Sequence, residues 1–254
     1  MDSSSSSSLK DKLVFITGAG SGIGRATAIK LSSLGAILYL TDISIEGLGA
    51  TLLCCTPHDR HKHRTRCIDV SSDLDCELAI AEATVGFGRI DHVFNCAGIN
   101  PTAYPLTETP VGYFERLLSV NVMGVYNITR LAIPHLPQHA GSSIVNVASI
   151  SGLKPSKNVA TYCATKYAVV GFSKSMALEL GEKGVRVNVV APGYIYTPTN
   201  GSVRRGEDAV KRAEKDVSMG RFGTAEEVAD VVAFLMSEGA RYMNGSVVQI
   251  DGGK

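Results

Sequence analysis

The chain has no hydrophobic run approaching the roughly 20 residues needed to span a bilayer; its longest apolar stretches are of the size of Ile37 to Leu40. A membrane-embedded role is therefore not expected. It also has almost no net charge, +1 with a pI near 7.6, so it projects no large field towards nucleic acid or an anionic membrane. A small molecule or a protein is the more natural partner. No apolar signal segment opens the chain, so the six cysteines (Cys54, Cys55, Cys67, Cys76, Cys96 and Cys163) read as reduced thiols of a cytoplasmic protein rather than a disulfide framework. Without a secretory signal, the three Asn-x-Ser/Thr sequons at Asn127, Asn200 and Asn244 carry no weight. Internal repeats are absent, and no linker divides the chain after its first residues.

What is present begins after a polar, serine-rich stretch, MDSSSSSS, which has nothing to bury and is expected to be a disordered tail over residues 1–8. From Leu9 onward, short apolar runs alternate with helical patterns. Leu13 to Ile16, Ile37 to Leu40, Cys67 to Val70, His92 to Asn95, Ile144 to Ala148, Val185 to Ala191 and Val247 to Ile250 all read as buried strands. A helix over Ile23 to Leu34 stops at Gly35, and Thr224-Ala225-Glu226-Glu227 is a capping box opening a helix to about Met236. Strands alternating with helices imply right-handed crossovers and parallel pairing. The expected fold is α/β: one domain over 9–254 with a doubly wound, seven-stranded parallel sheet and helices on both faces.

Directly after the first strand comes Thr17-Gly18-Ala19-Gly20-Ser21-Gly22-Ile23-Gly24, followed by a helix. Glycines there allow a tight turn and let backbone amides approach a pyrophosphate at the positive helix end. That placement predicts a Rossmann-like dinucleotide site formed by Gly18, Gly20, Ser21, Gly22, Ile23 and Gly24. Asp42 closes the second strand, 18 residues after Gly24, where a carboxylate accepts hydrogen bonds from a ribose diol and repels a 2′-phosphate. No basic residue occupies Ser21 or Ile43, so NAD is expected over NADP. Asp69, Val70, Asn95, Ala97 and Gly98 end later strands at the same sheet edge and extend the predicted cofactor bed.

Tyr162 and Lys166 stand four residues apart in YCATK, about one helical turn, so both groups can share a face. Taken with TGAGSGIG, NCAG, Asn121 in SVNVMGVYN, Ser149 in VNVASISG, and PGYIYT, the pattern strongly resembles the short-chain dehydrogenase/reductase family from about Leu9 to Gly253. The resemblance implies a catalytic tetrad of Asn121, Ser149, Tyr162 and Lys166. Tyr162 would exchange a proton with an alcohol or ketone, and a nearby lysine cation is expected to lower its pKa. Ser149 would hydrogen-bond the substrate oxygen, Asn121 would hold a water in a relay, and Tyr162 and Lys166 would also contact the cofactor. Pro192, Gly193, Ile195 and Thr197 match the family's segment beside the nicotinamide.

The implied activity is an NAD-dependent alcohol dehydrogenase or ketoreductase acting on a small-molecule alcohol or ketone. By resemblance, the substrate pocket is lined by 100–104, 150–157, Tyr194, Tyr196 and a mobile polar lid over 198–217. Its aromatic residues suit a cyclic or polycyclic secondary metabolite, terpenoid or sterol-like compound. The family also implies a homotetramer, with a dimer next, assembled through the long fourth and fifth helices and the last strand. Two other readings stand beside this one: a dinucleotide-binding scaffold without turnover, and a reductase using NADPH.

Two clusters point elsewhere and are set aside. Cys54, Cys55, His58, His61, His63 and Cys67 crowd together but match no paired-ligand spacing, so no metal site is expected. The basic run from Arg60 to Arg66 reads as a solvated connection.

Overall fold

A computed structural model describes residues 9–197 and 207–254. The predicted tail over 1–8 and residues 198–206 of the predicted lid lie outside the described residues. In chain order the elements are β1 (Leu13–Thr17), α1 (Gly22–Ser33), β2 (Ile37–Asp42), α2 (Ile45–Cys54), β3 (Arg64–Cys67), α3 (Asp73–Phe87), β4 (His92–Asn95), α4 (Tyr113–Leu118), α5 (Gly124–Ala132), β5 (Ser143–Val147), α6 (Ala160–Gly181), β6 (Arg186–Pro192), β7 (Ile195–Tyr196), α7 (Glu207–Glu214), β8 (Gly223–Thr224), α8 (Ala225–Met236) and β9 (Val247–Ile250). Seven strands form one parallel sheet in the order β3-β2-β1-β4-β5-β6-β9, while β7 and β8 pair separately.

Strand order reverses between β1 and β4, and both strands end at the same sheet edge. That switch point is where an open α/β sheet opens a crevice for ligand. Every residue of β1 is buried, as expected of a central strand covered on both faces. Phe15 faces Tyr39 with ring centroids 5.2 Å apart on one side, while Val14 and Ile16 join the core beneath α1 and α8 on the other. Each such side chain stabilises the fold by about 1.5–3 kcal/mol of transfer free energy. Together they make the central strands a rigid base for the loops at their carboxyl ends.

Six of the seven predicted strands lie within two residues of those found. The exception is the third, predicted over Cys67 to Val70 and found at Arg64–Cys67. As an edge strand β3 is solvated and polar. The apolar residues Ile68 and Val70 instead turn off the sheet and bury against α3 and its neighbours, with the Asp69 amide donating to Asp75 Oδ2 at 3.0 Å. The sequence pattern marked buried residues, which here belong to a loop. The lid expectation also changes: Glu207–Glu214 is a helix, with Ala213 and Val217 buried behind it.

Candidate active site

The glycine loop joins β1 to α1 with Gly18 and Gly22 at φ 67 and 49, a left-handed conformation that disfavours a side chain. A Cβ on Gly18 would lie 2.8 Å from Ala97 Cα, and one on Gly24 2.0 Å from the Gly18 oxygen. Ser44, Ser72 and Thr224 each cap the helix they precede with a side-chain oxygen, but Ser21 makes no such bond to α1. No acidic residue occupies the first turn of α1 either. The positive end of α1 is thus left for an external anion, and the cradle fits a dinucleotide pyrophosphate. Gly20 departs from expectation, because it is absent from the cleft lining. Its amide donates to Asp42 Oδ2 at 2.8 Å, so it positions the acid instead of facing a phosphate.

Asp42 reaches the same cleft from the end of β2. Its Oδ1 accepts from the Ser44 amide at 2.9 Å, which fixes the carboxylate between two backbone donors. The nearby cation, Arg25, is tied by its guanidinium to the Gly20 oxygen and by Nε to Thr51 Oγ1 at 3.0 Å. No Lys or Arg lines this end of the cleft among the described residues. Asp69 and Val70 line it as expected, with Asp69 Oδ1 accepting from the Ser71 amide and hydroxyl at 2.9 and 2.7 Å.

Asn95 corrects an expectation. It is buried and absent from the cleft, and its Nδ2 donates to Thr129 Oγ1 at 3.1 Å and Asn146 Oδ1 at 2.8 Å. The last residue of a strand can point to either face, and this one points into the sheet's helical layer. Ala97 and Gly98, just beyond it, do line the cleft.

Tyr162 and Lys166 lie on the first turns of α6, both buried, at 7% and 5% exposure. Lys166 Nζ donates to the Val147 oxygen at 3.0 Å, which ties α6 to the end of β5. Burial pushes the Tyr162 phenol up to about 12, opposed by a hydrogen bond with Ser149. Burial brings the Lys166 ammonium down to about 8. The expected lowering of the phenol by the lysine is not found: desolvation acts on both groups and disfavours both charged forms. Ser149 Oγ also accepts from the Ser151 amide at 3.1 Å.

Asn121 sits in a π-helical turn, Ser119–Met123, between α4 and α5, a local irregularity common at functional sites. Its Oδ1 accepts from the Ile99 amide at 2.7 Å, and its Nδ2 donates to the Ile99 oxygen at 3.1 Å and to Thr165 Oγ1 at 3.4 Å. A Cβ on Gly98 would lie 3.3 Å from Asn121 Oδ1 and 3.7 Å from Lys166 Nζ. The fold thus brings Asn121, Gly98 and Lys166 to one corner.

Gly18, Ser21, Gly22, Ile23, Gly24, Asp42, Asp69, Val70, Ala97, Gly98, Ser149, Tyr162 and Lys166 line one cleft of about 1220 Å³, whereas Asn121, at 1% exposure, is absent from its lining and spends its side chain on Ile99 and Thr165. Pro192, Gly193, Ile195 and Thr197 complete the wall of the cleft, with Ile195 also packed in the core. Of the expected pocket residues, Asn100, Pro101, Ala103, Ile150, Ser151, Lys154, Pro155, Ser156, Lys157 and Tyr194 line the cleft. Tyr104 packs edge-on against Tyr113, and Tyr196 donates its hydroxyl to Glu214 at 2.7 Å, so both turn elsewhere. Sequence reading missed Val147, Phe222, Arg116 and Lys254, which reach the cleft only through the tertiary fold.

His63 accepts from the Leu38 amide at 3.2 Å through Nδ1 and meets Ser32 Oγ at 3.2 Å through Nε2, so both ring nitrogens serve the packing of β2 and α1. Among the described residues no cluster of His, Cys, Asp or Glu could hold a metal ion, and no helix is long and apolar enough to cross a membrane.

Comparison with known proteins gives a consistent picture. The family model adh_short_C2, described as enoyl-(acyl carrier protein) reductase, matches residues 18–254. The levodione reductase of Leifsonia aquatica is 38% identical over 99% of this chain and 97% of its own length. The 3-oxoacyl-(acyl-carrier-protein) reductase FabG of Thermotoga maritima is 36% identical over 96% of this chain and 98% of its own. A cyclohexanol dehydrogenase of Acinetobacter is 34% identical over 99% and 98%. A crystal structure of levodione reductase superposes with a TM-score of 0.90, covering 96% of this chain and 98% of that one.

Proposed function

The chain belongs to the short-chain dehydrogenase/reductase family, and from that premise we propose that it is an NAD-dependent oxidoreductase interconverting a secondary alcohol and a ketone. The observation carrying this reading is the group of Ser149, Tyr162 and Lys166 in the cleft whose other end holds the glycine loop and Asp42. When bound, the nicotinamide dinucleotide supplies the hydride chemistry. Gly18, Ser21, Gly22, Ile23 and Gly24 would hold its pyrophosphate, and Asp42 its adenosine ribose. Asp69, Val70, Ala97 and Gly98 would flank the rest of that half. Pro192, Gly193, Ile195 and Thr197 would face the nicotinamide, with Tyr162 and Lys166 beside it.

Tyr162 holds its proton at neutral pH and passes it from the phenol oxygen to the ketone oxygen; in the reverse direction the phenolate removes it from the alcohol. Ser149 donates to the substrate oxygen as negative charge builds there. Lys166 offsets charge on the phenol oxygen, and Asn121 holds the Ile99 backbone and orders the relay corner beside it. NAD is favoured because a 2′-phosphate would meet the Asp42 carboxylate, while the nearby Arg25 is engaged by Gly20 and Thr51 and does not line the cleft.

The apolar floor of Ile150, Tyr194 and Phe222, and the cyclic compounds in the names of two relatives, support a cyclic or polycyclic secondary metabolite, terpenoid or sterol-like compound as substrate. Exposed apolar residues Tyr126, Tyr167 and Leu178 on α5 and α6 support assembly as a homotetramer, to be checked by light scattering. The decisive test is a screen of cyclic alcohols and ketones with NAD(H) and NADP(H), read by absorbance of the reduced nicotinamide. Turnover with NAD(H) is expected. Tight cofactor binding without turnover across the panel would leave the chain a scaffold, and a preference for NADPH would overturn the cofactor assignment.

A further inference from the structure

Charge is unevenly distributed along the cleft. Its carboxylates, Asp42 and Asp69, stand at the adenosine end. Beyond Ser149, at the substrate end, the described lining residues include Lys154, Lys157 and Lys254 and no Asp or Glu. Arg116 reaches the cleft from α4.

These cations come from separate parts of the chain, brought together by the fold. Lys154 Nζ donates to the main-chain oxygen of Lys254 at 2.7 Å. Lys254 Nζ lies 5.0 Å over the Tyr194 ring and 3.2 Å from Asp216 Oδ2. Asp216 is the only side-chain carboxylate paired with any of the four among the described residues, and at 59% exposure it compensates through solvent, while the Lys254 side chain is only 25% exposed; the Lys154 charge is met by the main-chain carboxyl oxygen of Lys254, the last residue of the sequence. Lys157 and Arg116 are exposed and carry no ion pair among the described residues. The positive end of α1 lies at the other end of the cleft, so cofactor phosphates do not account for this charge.

Resting on the alcohol and ketone reading above, we propose that the substrate carries an anionic group, a carboxylate or phosphate, set apart from the reacting carbon and received by Lys154, Lys157 and Lys254. Its apolar body packs against Ile150, Tyr194 and Phe222 while the anion sits at the cationic mouth. Attraction of this kind acts through solvent at the rim, so it raises encounter rate and affinity and weakens with salt.

The test compares 4-oxocyclohexanecarboxylate with its methyl ester, which keeps the shape and removes the charge, using NADH. Acetoacetyl-coenzyme A is included as a thioester carrying phosphates. In parallel, calorimetry compares cyclohexanecarboxylate with cyclohexanol binding to the enzyme–NADH complex. The expected result is a kcat/KM about tenfold higher for the acid than for the ester at low salt (~1.4 kcal/mol), with the ratio shrinking in about 0.5 M salt. The same ratio moves towards one in Lys157→Gln and in Lys254→Gln, with thermal melting used to verify folding. Acid and ester turned over equally, or the ester preferred, overturns the proposal. A larger advantage for acetoacetyl-coenzyme A than for the free acid places the anion on a thioester carrier; the reverse places it on a small molecule. If no ketone is reduced, the functional reading fails, and calorimetry still decides the site: tighter binding of the carboxylate supports it, and equal binding overturns it.

Discussion

The ammonium of Lys166 lies 5.7 Å from the centre of the Tyr162 ring, one helical turn away on a face buried beneath the cleft. If the phenol is the proton donor and acceptor, Tyr162→Phe removes that proton while keeping the packed ring. Turnover should fall by about 10²–10⁴-fold, the usual contribution of a positioned acid or base. NADH affinity, read by fluorescence titration, should change little. A variant that retains most of its turnover would assign the proton transfer to another group.

The same pair sets a pH dependence. With the phenol pushed up to about 12, reduction draws on the protonated form, which is fully present through neutral pH. Oxidation draws on the phenolate, whose fraction rises with pH. Alcohol oxidation should therefore accelerate from pH 6 to 8, while ketone reduction stays level. Initial rates in both directions across pH 6–10 check this; oxidation that slows with rising pH would contradict it.

Asp42→Ala should lower the ratio of NAD to NADP turnover by at least about tenfold, since it removes both an acceptor for the ribose diol and a charge opposing the 2′-phosphate. It also leaves the Gly20 and Ser44 amides without their acceptor, at a cost of about 1–3 kcal/mol for each that stays buried. Kinetics with both cofactors, set against a melting curve, separate the two effects. An unchanged ratio would remove Asp42 from cofactor choice.

How far the site could be read in the sequence depends on whether a residue's role is local. Tyr162 and Lys166 are one turn apart on a single helix, and the glycine loop is continuous, so spacing alone places each of them. Asn95 was misplaced because the pattern fixes where a strand ends but not which way its last side chain points. The third strand was shifted because burial, which the pattern reports, continues through Ile68 and Val70 after sheet pairing stops at Cys67. Lys254 left no sequence signal, since it reaches the cleft through tertiary contacts with Tyr194 and with Lys154, which lies 100 residues away in the chain.

Asn121→Ala should loosen the corner joining α4 and α5. The side chain holds both the amide and the oxygen of Ile99, so its loss leaves two main-chain groups unpaired beside the cleft. Stability should drop by about 1–3 kcal/mol, measured by denaturant unfolding, and turnover should fall with it. Full stability in the variant would show that the π-helical turn holds without this clamp.

Acid sensitivity should arise far from the site, at His92. Its ring is buried in β4, with Nδ1 2.9 Å from Ser143 Oγ, and burial lowers its pKa from 6.5 to about 3. The folded protein therefore holds the neutral imidazole, while the unfolded chain takes up a proton as pH falls below 6.5. Between 6.5 and about 3 the unfolded state binds more protons, so stability declines with acidification across that window. By pH 5 the loss from this one residue is about 2 kcal/mol relative to pH 8. His92→Gln keeps a polar partner for Ser143 without a titrating ring, and should lose less stability between pH 8 and 5 than the parent when both are unfolded in urea. Parallel losses in the two proteins would locate the acid-sensitive group elsewhere, with His63, also lowered by burial, the next to replace.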